Sequence, residues 1–347
     1  MTKRIRIKDR YIGGGAAITI QSMTNTRTED VDATVAQIQR LERAGCDIVR
    51  MSVNNADAAE AVRSIRAHVK VPLVADIHFD HKLALASIRN GIDKVRINPS
   101  NIGSLNAVRE VVAAAKDAGV PIRVGVNGGS LEKESIAKYG YTAEALADSA
   151  LRNVALLEQA GFDDIVISAK CSDVKMNADA YRILSAKTEY PLHVGVTEAG
   201  GGDLALAKSY AGIGSLLLDG IGDTIRVSIT GDPVEEVYAG DLLLKAVGIR
   251  RNFVNVVSCP TCARTEIPVA TLAERIRRET AGIEKPLTVA VMGCVVNGVG
   301  EGAHADVGVA GGREKSAIMK KGKVVKVVPN ERILEELLRA IEEVDHD

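Results

Sequence analysis

Four arginines of the sequence stand inside short apolar segments, where a charged side chain is costly to bury. The segments are IVRMSV with Arg50, KVRINPS with Arg96, PIRVGVN with Arg123 and TIRVSIT with Arg226. A guanidinium keeps its proton, so burying one without a partner is expensive. Bidentate guanidinium geometry suits phosphate, and four such groups exceed what nearby carboxylates can neutralise. We therefore expect the arginines to hold a small, highly charged anion, and a diphosphate fits best.

Cysteines form the second set of residues with reactive chemistry. SCPTCARTE contains Cys259 and Cys262, and MGCVVNGVGEG contains Cys294 and Glu301. C-x-x-C spacing lets two thiolates bind one metal centre from a single turn. Three interpretations stay open: a structural zinc with a further ligand such as His304, a dithiol redox pair, or an iron–sulfur cluster with three thiolates and one exchangeable ligand. The glycine-rich surroundings, with many backbone N–H groups, and the hard oxygen of Glu301 favour the cluster.

The two other cysteines carry weaker signals. Cys46 precedes an apolar segment in AGCDIV and is most simply a small core residue. Cys171 follows Lys170 and could approach a metal centre. Because five is an odd number and no secretion signal is present, a disulfide framework is not expected.

The bulk composition excludes several classes of protein. Basic residues (44) nearly balance acidic residues (45), which gives no support for a nucleic-acid-binding face. No apolar run approaches the ~18 residues of a membrane span, and no stretch of signal-peptide length follows the basic N-terminus. We expect a cytoplasmic protein that acts on a small molecule, without nucleic-acid or membrane partners.

The elements that must position these residues alternate regularly. Helical patterns such as DATVAQIQRLERAG and NAVREVVAAAKDAG end on glycine, the favoured residue after a helix C-terminus. Eight βα units over roughly 235 residues match the repeat number and length of a (β/α)8 barrel. A doubly wound open sheet is the alternative, but these units contain no glycine-rich nucleotide fingerprint. The predicted strands are residues 16–23, 47–53, 72–78, 94–99, 121–127, 164–170, 191–198 and 224–230.

A second domain begins where this alternation stops. We assign residues 1–250 to an α/β fold, a TIM-like barrel, and residues 254–347 to a small α+β domain with three of the cysteines. In that domain SAIMKKGKVVKVVP predicts a β-hairpin that turns at Lys321 and Gly322, and ERILEELLRAIEEV predicts a closing helix. The glycine-rich VVNGVGEG that precedes both is expected to offer its backbone N–H groups to a metal centre.

Polar residues alternate along the predicted barrel strands. Side chains of a barrel strand point in turn to the interior and to the helix layer, and ionic groups cannot fill a dry barrel centre. We therefore expect these residues near the carboxyl-terminal mouth, where barrel enzymes keep their active sites. The candidates are Arg50, Asp76, Arg96, Asn98, Arg123, Asn127, Lys170, His193, Thr197, Glu198, Arg226 and Ser228.

Five motifs together resemble the 4-hydroxy-3-methylbut-2-en-1-yl diphosphate synthase family of the methylerythritol phosphate route to isoprenoids. They are VRINPSN, RVGVNGGS, VGVTEAGGG, SCPTCAR and MGCVVNGVGE, and the likeness covers nearly the whole chain. The resemblance implies a 4Fe-4S oxidoreductase that reductively opens 2-C-methyl-D-erythritol 2,4-cyclodiphosphate with loss of water. It also implies single electrons from a flavodoxin or ferredoxin, and a head-to-tail homodimer in which one chain's cluster domain caps the partner's barrel.

The resemblance also assigns roles to matching positions. Cluster ligands would be Cys259, Cys262, Cys294 and Glu301. Glu198 would be a candidate proton donor. The diphosphate clamp would consist of Arg50, Arg96, Arg123, Lys170 and Arg226, and the pocket would be completed by Asp76, Asn98, Asn127, Thr197, Ser228 and Asn297.

Two other functions stay open from the residues alone. The first is a phosphate-binding barrel enzyme that resembles dihydropteroate synthase and carries a structural zinc in its second domain. The second is a non-enzymatic iron–sulfur electron carrier or sensor. Iron, zinc and sulfide content separates the first alternative from the cluster enzyme, and affinity for a diphosphate separates the second.

Overall fold

The β-branched segments of the first part of the chain form strands in the computed structural model, which describes residues 1–345 apart from the side chains of residues 297, 299, 301 and 345. The chain divides into two units, Met1–Val247 and Gly248–Asp347. The strands of the first unit are β1 (Ile5–Ile7), β2 (Arg10–Ile12), β3 (Thr19–Met23), β4 (Ile48–Ser52), β5 (Leu73–Asp76), β6 (Lys94–Ile97), β7 (Ile122–Asn127), β8 (Ile165–Lys170), β9 (His193–Val194) and β10 (Thr224–Ile225).

Helices separate the strands of the first unit, and side-chain caps start most of them. The side chain of Asp30 accepts a hydrogen bond at the start of α1, and Ser104 does the same for α4, which ends at the left-handed Gly119. The helices are α1 (Val31–Arg43), α2 (Ala56–Arg66), α3 (His81–Arg89), α4 (Leu105–Ala118), α5 (Lys133–Tyr139), α6 (Ala143–Gln159), α7 (Val174–Lys187), α8 (Gly202–Leu218) and α9 (Pro233–Ala246).

Strands β3 to β10 close into a parallel barrel. Their order is β8-β7-β6-β5-β4-β3-β10-β9, and a parallel bridge between Ile167 and Leu192 joins β8 to the β9 edge. The layer between strands and helices is packed by aliphatic side chains, including Ile38, Val62 and Val111. The predicted barrel is therefore confirmed, and the open-sheet alternative is wrong.

The N-terminal hairpin closes one end of the barrel, which the sequence patterns did not indicate. Strands β1 and β2 pair antiparallel, with Ile5 opposite Ile12. Ile5, Ile7 and Ile12 are buried in one cluster with Val74 and with two further residues at the starts of barrel strands, Ile48 and Val166. The RIRIKDRYI segment is thus an apolar plug with charged residues on its outer face.

The second unit is a five-stranded sheet with three helices. The strand order is β11-β12-β13-β14-β15, and the first three strands are parallel. The hairpin between β14 and β15 turns at Lys321 and Gly322, both with positive φ, which confirms the predicted turn. The elements are β11 (Val254–Ser258), α10 (Val269–Glu279), β12 (Leu287–Met292), α11 (Val295–Gly302), β13 (Val307–Ala310), β14 (Lys315–Lys320), β15 (Lys323–Pro329) and α12 (Ile333–Asp345).

The glycine-rich segment VVNGVGEG is helical, so the N–H groups of its first turn are the ones it can offer to a metal centre. It forms α11, and helical hydrogen bonds use the N–H groups beyond the first turn. Glycine is needed here for packing, because a Cβ at Gly298 would lie 2.2 Å from the Cβ of Ala310 on β13.

No helix in the described part of the chain is long and apolar enough to cross a membrane.

We expect the apolar plug to contribute measurably to the stability of the barrel. We expect Ile7→Ala to lower the free energy of unfolding by roughly 2–4 kcal/mol, because it leaves a cavity beneath the barrel centre. The matched control is Arg6→Ala on the same strand, whose side chain is exposed and which should change stability little. Chemical denaturation measures both variants, and equal stabilities would contradict the plug.

Candidate functional site

A buried carboxylate organises the barrel mouth. The side chain of Asp76 on β5 accepts a hydrogen bond of 2.9 Å from Arg96, and it lies 3.5 Å from Arg50 Nε. His78 approaches the same carboxylate, at 3.6 Å. Burial alone would raise the pKa of the Asp76 carboxyl, but the guanidinium groups of Arg50 and Arg96 outweigh burial and hold the pKa well below its usual range.

The two guanidinium groups beside Asp76 have further partners. Arg96 donates to the carbonyl oxygen of Gly125 at 3.1 Å. Arg50 points its Nε and Nη2 at the sulfur of Met23, at 3.2 and 3.0 Å, and burial lowers the Arg50 pKa to about 10. Only glycine fits opposite Arg96, since a Cβ at Gly125 would lie 2.2 Å from Arg96 Nε.

Arg226 has a carboxylate partner, Glu236, which the sequence patterns did not indicate. Both oxygens of Glu236 on α9 accept hydrogen bonds of 3.0 Å from Arg226. The Glu236 carboxylate also accepts from Ser22 Oγ, and its side chain is buried. A bidentate pair of this kind fixes the guanidinium plane at the mouth.

Two basic residues at the mouth have no carboxylate partner among the described residues. Arg123 is buried and donates one hydrogen bond, of 2.6 Å, to Ser168, while its Nε and Nη2 have no hydrogen-bond partner. Lys170 is buried on β8, and its Nζ would lie 2.6 Å from a Cβ placed on Gly195. Burial and the neighbouring arginines lower the pKa of both groups well below the usual values.

The remaining mouth candidates differ in their surroundings. Asn98 is buried, and its side chain accepts from the backbone N–H of Ser100. Asn127 ends β7, directly opposite Lys170. Thr197 and Ser228 are half-buried beyond β9 and β10. Glu198 is exposed and has a left-handed backbone with φ of 54°.

His193 and Lys94 lie deeper in the barrel. His193 is fully buried inside the barrel and its Nδ1 lies 3.4 Å from Thr224 Oγ1. Lys94, which sequence reasoning missed, is fully buried on the face of β6 that also carries Arg96. The signal for Lys94 was its two-residue spacing from Arg96 within KVRINPS.

Positive charge therefore dominates the barrel mouth. In residues 1–247, all of which the structure describes, the basic groups at the mouth are Arg50, Arg96, Arg123, Lys170 and Arg226. Two buried carboxylates, Asp76 and Glu236, face them. Such an excess of buried donors suits a small polyanion with several acceptor oxygens.

In the second unit, three cysteines lie at one edge of the sheet. Cys259 follows β11, and Cys294 lies between β12 and α11, so both follow the carboxyl ends of neighbouring parallel strands. The backbone N–H of Gly293 donates to Cys259 Sγ at 3.2 Å. Cys262 is exposed, and the backbone N–H of Arg264 lowers the pKa of its thiol.

The donor chemistry of these cysteines fits a metal–sulfur centre. Cys294 immediately precedes α11, and its carbonyl accepts from the N–H of Gly298, a helix start that favours anionic ligands. All three thiols are free of disulfides. No group of three His, Cys, Asp or Glu side chains within the described residues is already arranged to hold a metal ion. The side chains of Asn297 and Glu301, both predicted for this site, lie outside the described residues.

Cys171 shows none of the features of a reactive thiol. It is buried at the end of β8, and its Sγ donates to the carbonyl oxygen of Asp173 at 3.3 Å. Burial raises the pKa of this thiol to about 11. Cys46 is buried as predicted for a core residue.

Solved structures of similar shape are dihydropteroate synthases. That of Stenotrophomonas maltophilia matches with a TM-score of 0.52 and 14% identity, and covers 71% of this chain and 99% of its own. That of Yersinia pestis matches with a TM-score of 0.51 at the same identity and coverage. At this level of identity the likeness concerns the barrel fold alone.

Relatives of much higher identity carry another name. A 4-hydroxy-3-methylbut-2-en-1-yl diphosphate synthase (flavodoxin) of Caldanaerobacter subterraneus subsp. tengcongensis is 55% identical over 345 residues, 99% of this chain and 97% of the relative. The protein of the same name from Ruminiclostridium cellulolyticum is 51% identical over 99% of this chain and 98% of its own length.

Two family models cover most of the chain. The model described as the GcpE TIM-barrel domain matches residues 2–241, and the one described as the GcpE protein C-terminal domain matches residues 255–343. The predicted resemblance is confirmed. The chain belongs to the GcpE family.

Proposed function

We propose that the protein forms 4-hydroxy-3-methylbut-2-en-1-yl diphosphate by reductive ring opening of 2-C-methyl-D-erythritol 2,4-cyclodiphosphate. The reaction takes up two electrons and two protons and breaks two C–O bonds, one in the ring and one to the hydroxyl on the neighbouring carbon. A C=C bond forms between these carbons, the ring oxygen stays on the diphosphate, and the hydroxyl leaves as water. The relatives that match the full chain carry the name of this activity. Their name also specifies flavodoxin, so we propose a flavodoxin rather than a ferredoxin as the electron donor.

The observation that carries this proposal is the excess of buried positive charge at the barrel mouth. Arg123 and Lys170 have no carboxylate partner, and Asp76 is shared between two arginines. A cyclic diphosphate supplies two linked anionic groups of the size and charge that such a site accepts. In this proposal Arg50, Arg96, Arg123, Lys170 and Arg226 hold the diphosphate.

The neutral residues and Glu198 complete the site. Asn127 ends β7, and Thr197 and Ser228 lie beyond the ends of β9 and β10. Each offers a polar group to the carbon skeleton or its hydroxyls. Glu198 is exposed beyond β9, where solvent can reprotonate it. We assign Glu198 the role of proton donor to the leaving oxygen.

The second unit supplies the redox group. Cys259, Cys262 and Cys294 would hold a 4Fe-4S cluster, with Glu301 as an exchangeable fourth ligand and Asn297 beside it, and the bound cluster would deliver electrons one at a time. Two features support thiolate ligands: the backbone N–H donated to Cys259 and the lowered pKa of Cys262. The free cysteines also favour a reducing compartment such as the cytoplasm.

The two alternatives explain less of the molecule. A dihydropteroate synthase-like enzyme rests on similarity of the barrel fold at 14% identity, and the full-length relatives are named differently. An electron carrier would need no buried cations in its barrel. Neither alternative accounts for both the cationic mouth and the cysteine edge.

We also propose a homodimer that forms through helices α8 and α9. The outward-facing side chains of Leu204 and Leu218 on α8 are 68% and 72% exposed, and those of Tyr238 and Leu242 on α9 are 55% and 58% exposed. These side chains form apolar rows on neighbouring helices. A second copy of the chain can pack its own rows against them, because apolar rows with so little charge do not repel each other. By contrast, α4 exposes charged residues such as Arg109, Glu110 and Lys116.

The diphosphate clamp predicts a binding defect without a stability defect. We expect Arg123→Ala to weaken binding of the cyclodiphosphate by about 1.5–3 kcal/mol, or about 10- to 150-fold, as charge-assisted contacts are lost. The free energy of unfolding should stay equal or rise, because a buried charge without a carboxylate is removed. Calorimetry and chemical denaturation measure the two effects, with the exposed Arg152→Ala as the matched control. Unchanged affinity in a folded variant would assign Arg123 a structural role.

The cysteine site predicts a defined metal content. Protein purified without oxygen should contain about four irons and four sulfides per chain. Cys262→Ser should lose most of both, whereas Glu301→Ala should keep them, because three thiolates remain, yet lose most of its turnover. Cys171→Ser is the matched cysteine control and should keep its iron. One zinc and no sulfide would contradict the cluster.

The apolar rows predict the oligomeric state. The wild-type chain should sediment as a dimer, and the variant with both Leu204→Glu and Leu242→Glu should sediment as a monomer, since like charges would meet in a desolvated contact. Leu105→Glu on α4 is the matched control, because Leu105 is also exposed. A double variant that stays dimeric would move the interface elsewhere.

A further inference from the structure

Below the mouth, the barrel interior contains polar groups that lack partners. Lys94 is 0% exposed, and its Nζ makes no hydrogen bond to any described protein atom. The same holds for both amide atoms of the buried Gln21, for Nε2 of His193, and for Nε and Nη2 of Arg123. Buried polar atoms are nearly always paired in folded proteins, so this set requires an explanation.

The depth of Lys94 follows from the strand register. Lys94 lies opposite Val74, which packs against the apolar plug, whereas Arg96 lies opposite Asp76 at the mouth. Lys94 therefore projects from the last interior position above the plug. Because the plug and the helix layer enclose this level, an anion can approach Lys94 only from the mouth.

The groups that face Lys94 are mostly basic. The charged and titratable side chains of the surrounding strands are Arg50 on β4, Asp76 on β5, Arg123 on β7, Lys170 on β8 and His193 on β9, and of these Arg123, Arg50 and His193 interact electrostatically with Lys94. Asp76 is already held by Arg50 and Arg96. A second permanent charge beside the unpaired Arg123 is unfavourable as long as no anion is bound.

We propose that Lys94 is a further substrate-binding residue, which is a neutral amine in the free protein and takes up a proton when the diphosphate enters. The proton comes from solvent or buffer and adds to the lone pair of Nζ. The ammonium then lies beneath Arg123 and the other mouth arginines and attracts the dianion from below. This inference rests on the proposed function, since it requires the cyclodiphosphate to bind at the mouth.

The directions of the pKa shifts agree with this geometry. Burial, then Arg123 and Arg50, lower the pKa of Lys94 well below its usual value. The negative charge of a bound dianion counteracts the repulsion from the two arginines and favours the charged ammonium, which raises this pKa. Substrate binding is therefore accompanied by proton uptake at pH values between the pKa of Lys94 in the free protein and its pKa in the complex. Affinity falls as the pH rises through that window, by up to about tenfold per pH unit.

Lys170 and His193 are the competing proton acceptors. Lys170 lies at the mouth rather than above the plug, and its Nζ does not belong to the enclosed atoms without partners. His193 is as deep as Lys94, but its imidazole is anchored by Thr224. Lys94 combines full enclosure with the absence of any hydrogen-bond partner among the described residues.

The test is calorimetric titration of the intact protein with the cyclodiphosphate in buffers of different ionisation enthalpy. The slope of the observed enthalpy against that of the buffer gives the number of protons taken up. Wild type and the exposed control Lys116→Met should take up about one proton per substrate within the window. Lys94→Met should take up none and bind at least about tenfold more weakly. Lys94→Arg, with a permanent charge, should take up none but bind more tightly than Lys94→Met.

Three results would overturn the inference. The first is binding by wild type without proton uptake, which leaves the proposed function intact. The second is equal uptake by wild type and a folded Lys94→Met variant. The third is uptake that disappears in Lys170→Arg or His193→Gln but persists in Lys94→Met, which moves the proton to one of those residues. If folded wild type fails to bind the cyclodiphosphate at all, the proposed function falls together with the inference.

Discussion

The buried positive charge of the barrel interior is the constraint on which the rest of the first unit depends. Guanidinium groups stay protonated, so the three arginines around Asp76 and Ser168 need either carboxylates or a ligand. The fold supplies one carboxylate from a strand and a second, Glu236, from a helix, and leaves Arg123 without one. A folded barrel of this kind should bind the proposed polyanion, because the ligand would form ion pairs with cations such as Arg123 that lack a carboxylate partner.

Several unrelated features of the barrel serve this arrangement. The hairpin plug closes the end away from the mouth with isoleucines, so the cations face solvent from one direction only. Gly125 and Gly195 leave the room that Arg96 and Lys170 occupy, because a Cβ at either position would overlap those side chains. Replacing either glycine would therefore disturb the anion site through packing rather than through charge.

How much the sequence predicts depends on whether the signal is local. The two-residue alternation of side chains along strands, together with turn residues, was enough to predict the barrel strands, the interior position of Arg96 and the hairpin at Gly322. Each of these signals depends on a few consecutive residues. The partner of Arg226 was not predictable in this way, since Glu236 returns from the following helix. Alternation also gives the face of a residue but not its depth, which is why Lys94 was missed. In VVNGVGEG, close packing on β13 overrides the low helix propensity of glycine.

The proposed anion site of the first unit and the proposed cysteine site of the second are preorganised to different degrees. In the barrel, strands hold the cations in place and the carboxylates of Asp76 and Glu236 fix their orientation before any ligand arrives. At the cysteine edge, Cys259 and Cys294 follow strand ends, but Cys262 lies exposed in the connecting segment. Thiols on such segments are gathered by the metal itself, because binding and local ordering are one equilibrium. The proposed anion site is thus a property of the folded chain, whereas the proposed thiol site would be a property of the chain together with a bound metal.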